Sequence, residues 1–208
     1  ERLLRLLAET QIPKVFLDTS SLVAPDELNG DLLLMESRTS VRRITCHLLE
    51  QGRTLPGFIG DISYAQSNRE RYEGFCQALA DAGKKVDSSL CLTTPLGIDT
   101  YREEIDTFLS SLSRMPDAFV CASDYVACIL MQLLEKRGLR VPEDVAVSGF
   151  DNNTEDLLAE HLTTVQVFNE ELGARLALQI LYRIKYPNTP HEITYLGTNV
   201  LYRDSTGD

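Results

Sequence analysis

Apolar side chains follow two rhythms along this chain of 208 residues, and the rhythms alternate. Helical spacing comes first, with Leu3, Leu4 and Leu7, and Pro13 then introduces a short apolar run, Val15 to Leu17, closed by Asp18. Asp18 to Asp31 is rich in Asp, Ser, Pro, Asn and Gly and is expected to be mainly loop. Val41, Ile44, Leu48 and Leu49 line one face of a predicted helix stopped by Gly52, and Phe58 to Gly60 is a predicted strand. The clearest helix carries Tyr72, Phe75, Cys76 and Leu79 at i, i+3, i+4 and i+7, with Gly83 as its stop. A weak strand over Val86 to Leu92 leads through Thr93–Gly97 to a helix bearing Ile105, Phe108, Leu109 and Leu112, ended by Pro116. Ala118–Ala122 is a strand, Val126, Ile129, Leu130 and Leu133 mark a helix ending at Gly138, and Val145–Gly149 is the next strand. An extended piece over Thr163–Phe168, a helix through Leu172, Leu176, Ile180 and Ile184, and two strands, Ile193–Leu196 and Val200–Tyr202, complete the pattern.

Strands alternating with helices predict an α/β fold with a mainly parallel sheet covered on both faces. Between Val41 and Gly149 the order is that of a doubly wound unit. Composition agrees: 43% hydrophobic and 25% charged residues are ordinary for a globular protein. No apolar run approaches the roughly 18 residues that span a bilayer, so no membrane partner is expected. The net charge is −11 and the basic residues are scattered, which leaves no cationic surface for nucleic acid. The five cysteines (Cys46, Cys76, Cys91, Cys121, Cys128) are odd in number, lack C-x-x-C spacing and mostly sit among apolar neighbours. They suit small buried side chains in a reducing, cytoplasmic compartment rather than a disulfide frame or a metal site.

In open parallel sheets ligands bind beyond the carboxyl ends of the strands. There the sequence places Asp18, Asp61, Ser123 with Asp124, and Asp151, while Arg69 and Arg71 open the helix after the Asp61 loop. Carboxylates accept hydrogen bonds from hydroxyl pairs and an arginine fork donates them, so such a ring suits a hydroxyl-rich ligand. Each residue also has a plainer use. Asp124 equally suits an N-cap, Arg71 a surface pair with Glu70 or Glu73, and Asp151 a turn with Asn152 and Asn153. Phe150 and Tyr125 suit packing. No nucleophile elbow, H-E-x-x-H, P-loop or dinucleotide turn occurs, so no catalytic residue, metal or cofactor is expected.

Several segments are more specific. SNRERYEGFCQAL (Ser67–Leu79) resembles the R-x-x-G-F stretch of LacI/GalR-family transcriptional regulators. Asp117–Asn152 resembles that family's longest signature: a strand, an (A/S)-(N/S)-D turn, a helix, G-x-x-V-P-x-D-V and G-F-D. HLTTVQ (His161–Gln166) resembles its P-x-L-T-T-V, and YRDST (Tyr202–Thr206) its closing R-x-S-T. The resemblance implies a type I periplasmic-binding-protein-like core of two lobes, joined by crossovers near Met35, Val167 and Thr198. One lobe would comprise residues 36–167 and 198–208. The other, residues 1–35 and 168–197, would be incomplete, lacking its first strand–helix–strand stretch and the helix-turn-helix head before it. The resemblance also implies a non-enzymatic cytoplasmic sensor, homodimeric, that binds a sugar or sugar derivative and meets DNA only through the absent head. The effector contacts carried over are Asp18, Arg71, Ser123 and Asp151, with Asp124 and Tyr125 adjacent. A transport solute-binding protein of the same fold is the alternative. Ser123 stands where the family usually has Asn, Val167 where many members have Gln, and Arg53 where His usually follows Gly.

Overall fold

The computed structural model describes residues 6–7, 9–97, 99–153 and 160–207. Leu3 and Leu4 of the expected opening helix lie outside them.

The larger sheet consists of β3 (Pro56–Ile59), β4 (Cys91–Leu92), β5 (Ala118–Cys121) and β6 (Ala146–Ser148), all parallel, in the order β4-β3-β5-β6. Every residue of β3, β5 and β6 is buried, as parallel strands covered on both faces must be. Strand alternation divides their side chains between two apolar layers. Phe58, Val120 and Ala146 join Val41, Ile44 and Leu48 of α1 (Arg38–Glu50) and Phe75 and Leu79 of α2 (Gln66–Asp81). Ile59, Phe119, Cys121 and Val147 join Ile105 and Leu109 of α3 (Tyr101–Ser111) and Ile129, Leu130 and Leu133 of α4 (Asp124–Lys136). The doubly wound unit is therefore present as the hydrophobic rhythm requires. Helices α1 and α2 meet so closely at Gly74 that a Cβ there would lie 2.2 Å from the Arg38 carbonyl oxygen, which explains the glycine of the R-x-x-G-F stretch.

A smaller parallel sheet has the order β1-β2-β8, from Val15–Leu17, Asp31–Met35 and Ile193–Leu196. Helix α5 (Asn169–Lys185) contacts β1. Between the sheets, β7 (Thr164–Gln166) pairs antiparallel with β9 (Asn199–Leu201). Single parallel bridges, Ser148 to Thr163 and Asp151 to Gln166, tie β7 to the line of β6.

Three features depart from the sequence expectation. Strand β2 carries no rhythm of its own: its leucines are buried on both faces, so no alternation marks it, and its first residue is a charge. That charge is tolerated because Asp31 accepts from Gln179 (2.7 Å), Arg183 Nε (3.1 Å), the Glu192 amide (2.9 Å) and Arg183 Nη2. Burial alone would raise its pKa, but hydrogen bonds from Arg183, Gln179 and Glu192 outweigh that and hold it low. The expected strand over Val86–Leu92 shrinks to Cys91–Leu92, because the Asp87 carboxylate accepts from the Ser89 amide (3.1 Å) and hydroxyl (2.6 Å) and bends Ser88–Leu90 into a turn. The last strand is Asn199–Leu201 and runs antiparallel, outside the parallel sheets. Among the described residues no helix is long and apolar enough to cross a membrane.

Candidate functional site

The chain sends Asp18, Asp61, Ser123 and Asp151 out of the carboxyl ends of β1, β3, β5 and β6. Arg71 leans toward them from the second turn of α2, only 4% exposed. Its Nη2 lies 3.6 Å from Asp151 Oδ1, and its guanidinium carbon lies 3.6 Å above the centre of the Phe150 ring. Nη1 donates to the Ala122 carbonyl and to Asn68 Oδ1 (3.4 Å), while Nε is buried without a partner. Burial lowers the Arg71 pKa, opposed by the carboxylates of Asp151, Asp18, Asp124 and Glu70. Burial likewise raises the pKa of Asp151, and Arg71 works against it. The pair expected from sequence is thus formed, and the surface pairing of Arg71 with Glu73 is not, since Glu73 pairs with Arg38.

Asp18 reaches the same region by a different route. Helix α2 has Ala65 at its N-cap and no side-chain cap of its own. Its first amides are satisfied from across the cleft: Asp18 accepts from Ser67 Oγ (2.5 Å) and the Ser67 amide (3.4 Å), and the Thr19 carbonyl accepts from the Gln66 amide (2.8 Å). To do this Asp18 adopts a left-handed backbone (φ 59°). Ser21 donating to the Ser63 carbonyl (3.0 Å) and Tyr195 donating to Glu70 (2.8 Å) add to the bridge between the two sheets.

The turn after β5 divides its labour unexpectedly. The N-cap of α4 is Ser123, whose hydroxyl accepts from the Val126 amide (3.3 Å), and not Asp124. Asp124 turns inward, where it accepts from Thr164 Oγ1 (2.5 Å) and the Asn153 amide (2.7 Å). Burial pushes its pKa up to about 6 despite those two bonds. A Cβ at Gly149 would lie 2.2 Å from Asp124 Oδ1, so this glycine is fixed by the carboxylate packed against it. Tyr125 is 59% exposed and meets Tyr101 edge-on at 5.8 Å, in a surface pocket separate from Arg71 that Cys128 and Gln132 also line. Asp61 organises its own loop, accepting from the amides of Ser63 (2.8 Å) and Tyr64 (3.1 Å).

A cleft of about 630 Å³ opens beside Asp151, lined by Leu17 and Met35 of the smaller sheet, by Asn152 and Asn153, and by Val167, Asn169 and Leu172. Sequence reasoning did not single out these asparagines as lining residues, although Asn152 and Asn153 directly follow the Asp151 it chose. Asp151 and Asn152 both have positive φ (112° and 50°), conformations that Asp and Asn tolerate better than most residues. Asn152 is clamped by Arg203 Nη2 (2.8 Å) and by its own amide donating to Gln166 (2.6 Å). Ser205 donates to the Val147 carbonyl (2.6 Å) and accepts from the Thr163 amide (2.8 Å), so the closing R-x-S-T segment buckles the Asp151 turn to the sheet. Among the described residues no group of three His, Cys, Asp or Glu side chains is placed to hold a metal ion.

Residues 45–206 match the family described as the periplasmic binding protein-like domain. The chain belongs to this family. In the periplasmic binding protein-like frame, the strand-end carboxylates, Arg71 and the cleft occupy the position where the sheet rule puts a ligand. The HTH-type transcriptional regulator DegA of Bacillus subtilis is 31% identical over 170 residues, which cover 81% of this chain and 48% of DegA. A LacI-family regulator structure from Sanguibacter keddieii superposes with a TM-score of 0.79 at 26% identity, covering 94% of this chain and 72% of that one. The structure of the transcriptional regulator CelR in complex with cellobiose superposes with a TM-score of 0.81 at 25% identity, covering 98% and 69%. The chain spans between 48% and 61% of the length of the curated relatives it matches.

Proposed function

We propose that this chain is the effector-sensing core of a LacI-type transcriptional regulator and that a sugar, or a similarly hydroxyl-rich metabolite, is its effector. The observation that carries the reading is the Arg71–Asp151 pair beside a cleft whose walls come from both sheets. In this role Asp151 accepts hydrogen bonds from ligand hydroxyls, and Arg71 holds the Asp151 carboxylate in place. Asp18 and Ser123 stand at the rim, Asp124 sets the Asp151–Asn153 turn from behind, and Tyr125 is the most peripheral of the six candidates. The regulator reading is preferred to transport because DegA, CelR and the Sanguibacter protein are all named as transcriptional regulators.

The lobes are taken as residues 1–35 with 168–197, and 36–167 with 198–208. An effector touching both walls binds one relative orientation of the lobes more tightly than another, and that difference alone does the switching. The Asp18–Ser67 bridge spans the same gap and biases the same equilibrium. In a cytoplasmic homodimer the change would alter the spacing of two DNA-binding heads carried elsewhere in the full-length regulator. Neither catalysis nor a cofactor has a part in this scheme.

The test is calorimetry on a sugar found by a thermal-shift screen, which works because a ligand stabilises the state it binds. Arg71→Ala and Asp151→Ala should each weaken binding by about tenfold or more, roughly 1.4 kcal/mol. Unchanged affinity in both variants rejects the assignment.

A further inference from the structure

The charge of the cleft narrows the effector further, and this step rests on the sensor reading above. Among the described lining residues Asp151 is the one ionisable side chain, 43% exposed. The neighbouring cation is already committed. The Arg71 fork serves Asp151, the Ala122 carbonyl and Asn68, its flat face covers Phe150, and four carboxylates (Asp151, Asp18, Asp124 and Glu70) act on it. An arginine that captures phosphate or carboxylate must direct two N–H groups at the incoming oxygens. Arg71 is buried with both terminal nitrogens engaged, so an anion entering the cleft would lose hydration and meet Asp151 without a free counter-charge. The rest of the lining is neutral: three asparagines (Asn152, Asn153, Asn169) beside the apolar Leu17, Met35, Val167 and Leu172. Amides satisfy hydroxyls, and the apolar wall takes the C–H face of a ring.

We propose that the cleft accepts an uncharged polyol and excludes its anionic derivatives, so that sugar phosphates and sugar acids do not act as effectors of this protein. The Asp151 carboxylate is the source of the exclusion. Because the replacement amide keeps the shape and tolerates the same backbone, Asp151→Asn should relax the selection without closing the site. Asn169 is exposed at the start of α5, so Asn169→Lys adds a cation to the wall without disturbing the core.

The experiment is a thermal-shift and calorimetric comparison of matched pairs on the purified protein: cellobiose, ribose and glucose against their phosphate esters, with inorganic phosphate alone as a further probe. A neutral sugar should bind on the order of 100-fold more tightly than its ester, inorganic phosphate should give no shift, and Asn169→Lys should close the gap by about tenfold or more. Asp151→Asn should also narrow it. An ester binding as well as its parent, or a gap unmoved in both variants, overturns the exclusion and leaves the sensor reading standing. If no member of either series shifts the protein, the polyol reading fails, and the exclusion fails with it.

Discussion

The two sheets of this molecule are held together by different physics. The larger is closed on both faces by apolar layers, with Phe58 and Phe75 on one side and Phe119, Ile105 and Leu130 on the other. The smaller has one modest apolar cluster, Leu28, Leu32 and Leu34, and a buried polar cluster of Asp31, Gln179 and Arg183. Its outer residues stay exposed: Leu178, Leu181 and Ile184 on α5, and Ile193 and Tyr195 on β8. Apolar layers are non-directional and tolerate adjustment. A buried ion pair does not, because removing one partner leaves an uncompensated charge. The smaller sheet should therefore fail at single points where the larger one yields by degrees.

The strongest test is Arg183→Ala, expected to cost about 3–5 kcal/mol by stranding Asp31. Hydrogen exchange should show β2 and β8 losing protection while β3, β5 and β6 keep theirs; loss in both sheets together would mean that they unfold as one unit.

Next comes Asp124, which ties β7 to the Asp151 turn of the larger sheet. Burial lifts its pKa from 3.8 to about 6, so between those values the folded chain holds a proton that the unfolded chain has released. Its contribution to stability is complete below the lower value and is lost as pH rises through the upper one. Denaturant midpoints at pH 4 and pH 7 should therefore move in favour of Asp124→Asn relative to the parent, by up to about 3 kcal/mol. A difference independent of pH would remove the proton from the account.

Gly149→Ala should cost about 1–3 kcal/mol, since the new methyl meets Asp124, and the loss should be visible as a lower melting temperature. The smallest effect is expected where the two sheets meet. Asp18→Asn keeps a residue suited to the left-handed backbone but weakens the cap on α2, for about 1 kcal/mol. It should also speed amide exchange at Gln66 and Ser67, and unchanged exchange there would discount the bridge between the sheets.

The larger sheet is legible in the sequence because both its faces are apolar and its helices announce themselves at i, i+3, i+4 and i+7. Tyr72, Phe75, Cys76 and Leu79 form one helical face by spacing, and they lie in α2 packed against Phe58 and its neighbours. Strand β2 is not legible, because Asp31 is a strand residue only when Arg183, some 152 residues away, is folded against it. The site divides in the same manner. Arg71 and Asp151 stand out by residue type at strand and helix ends, and they meet in the structure. The inward turn of Asp124 toward Thr164 and the distance of Tyr125 from Arg71 have no local signal.

The sequence by itself settled what repeats over short range: helix and strand rhythm, the doubly wound order, a chain too acidic to hold DNA, and carboxylates after most strands. Tertiary structure alone decided which of those carboxylates faces a cleft, which caps a foreign helix and which is buried with a raised pKa. The reason is that the environment of a charge is set by residues distant along the chain, whereas the periodicity of an element is set by its immediate neighbours.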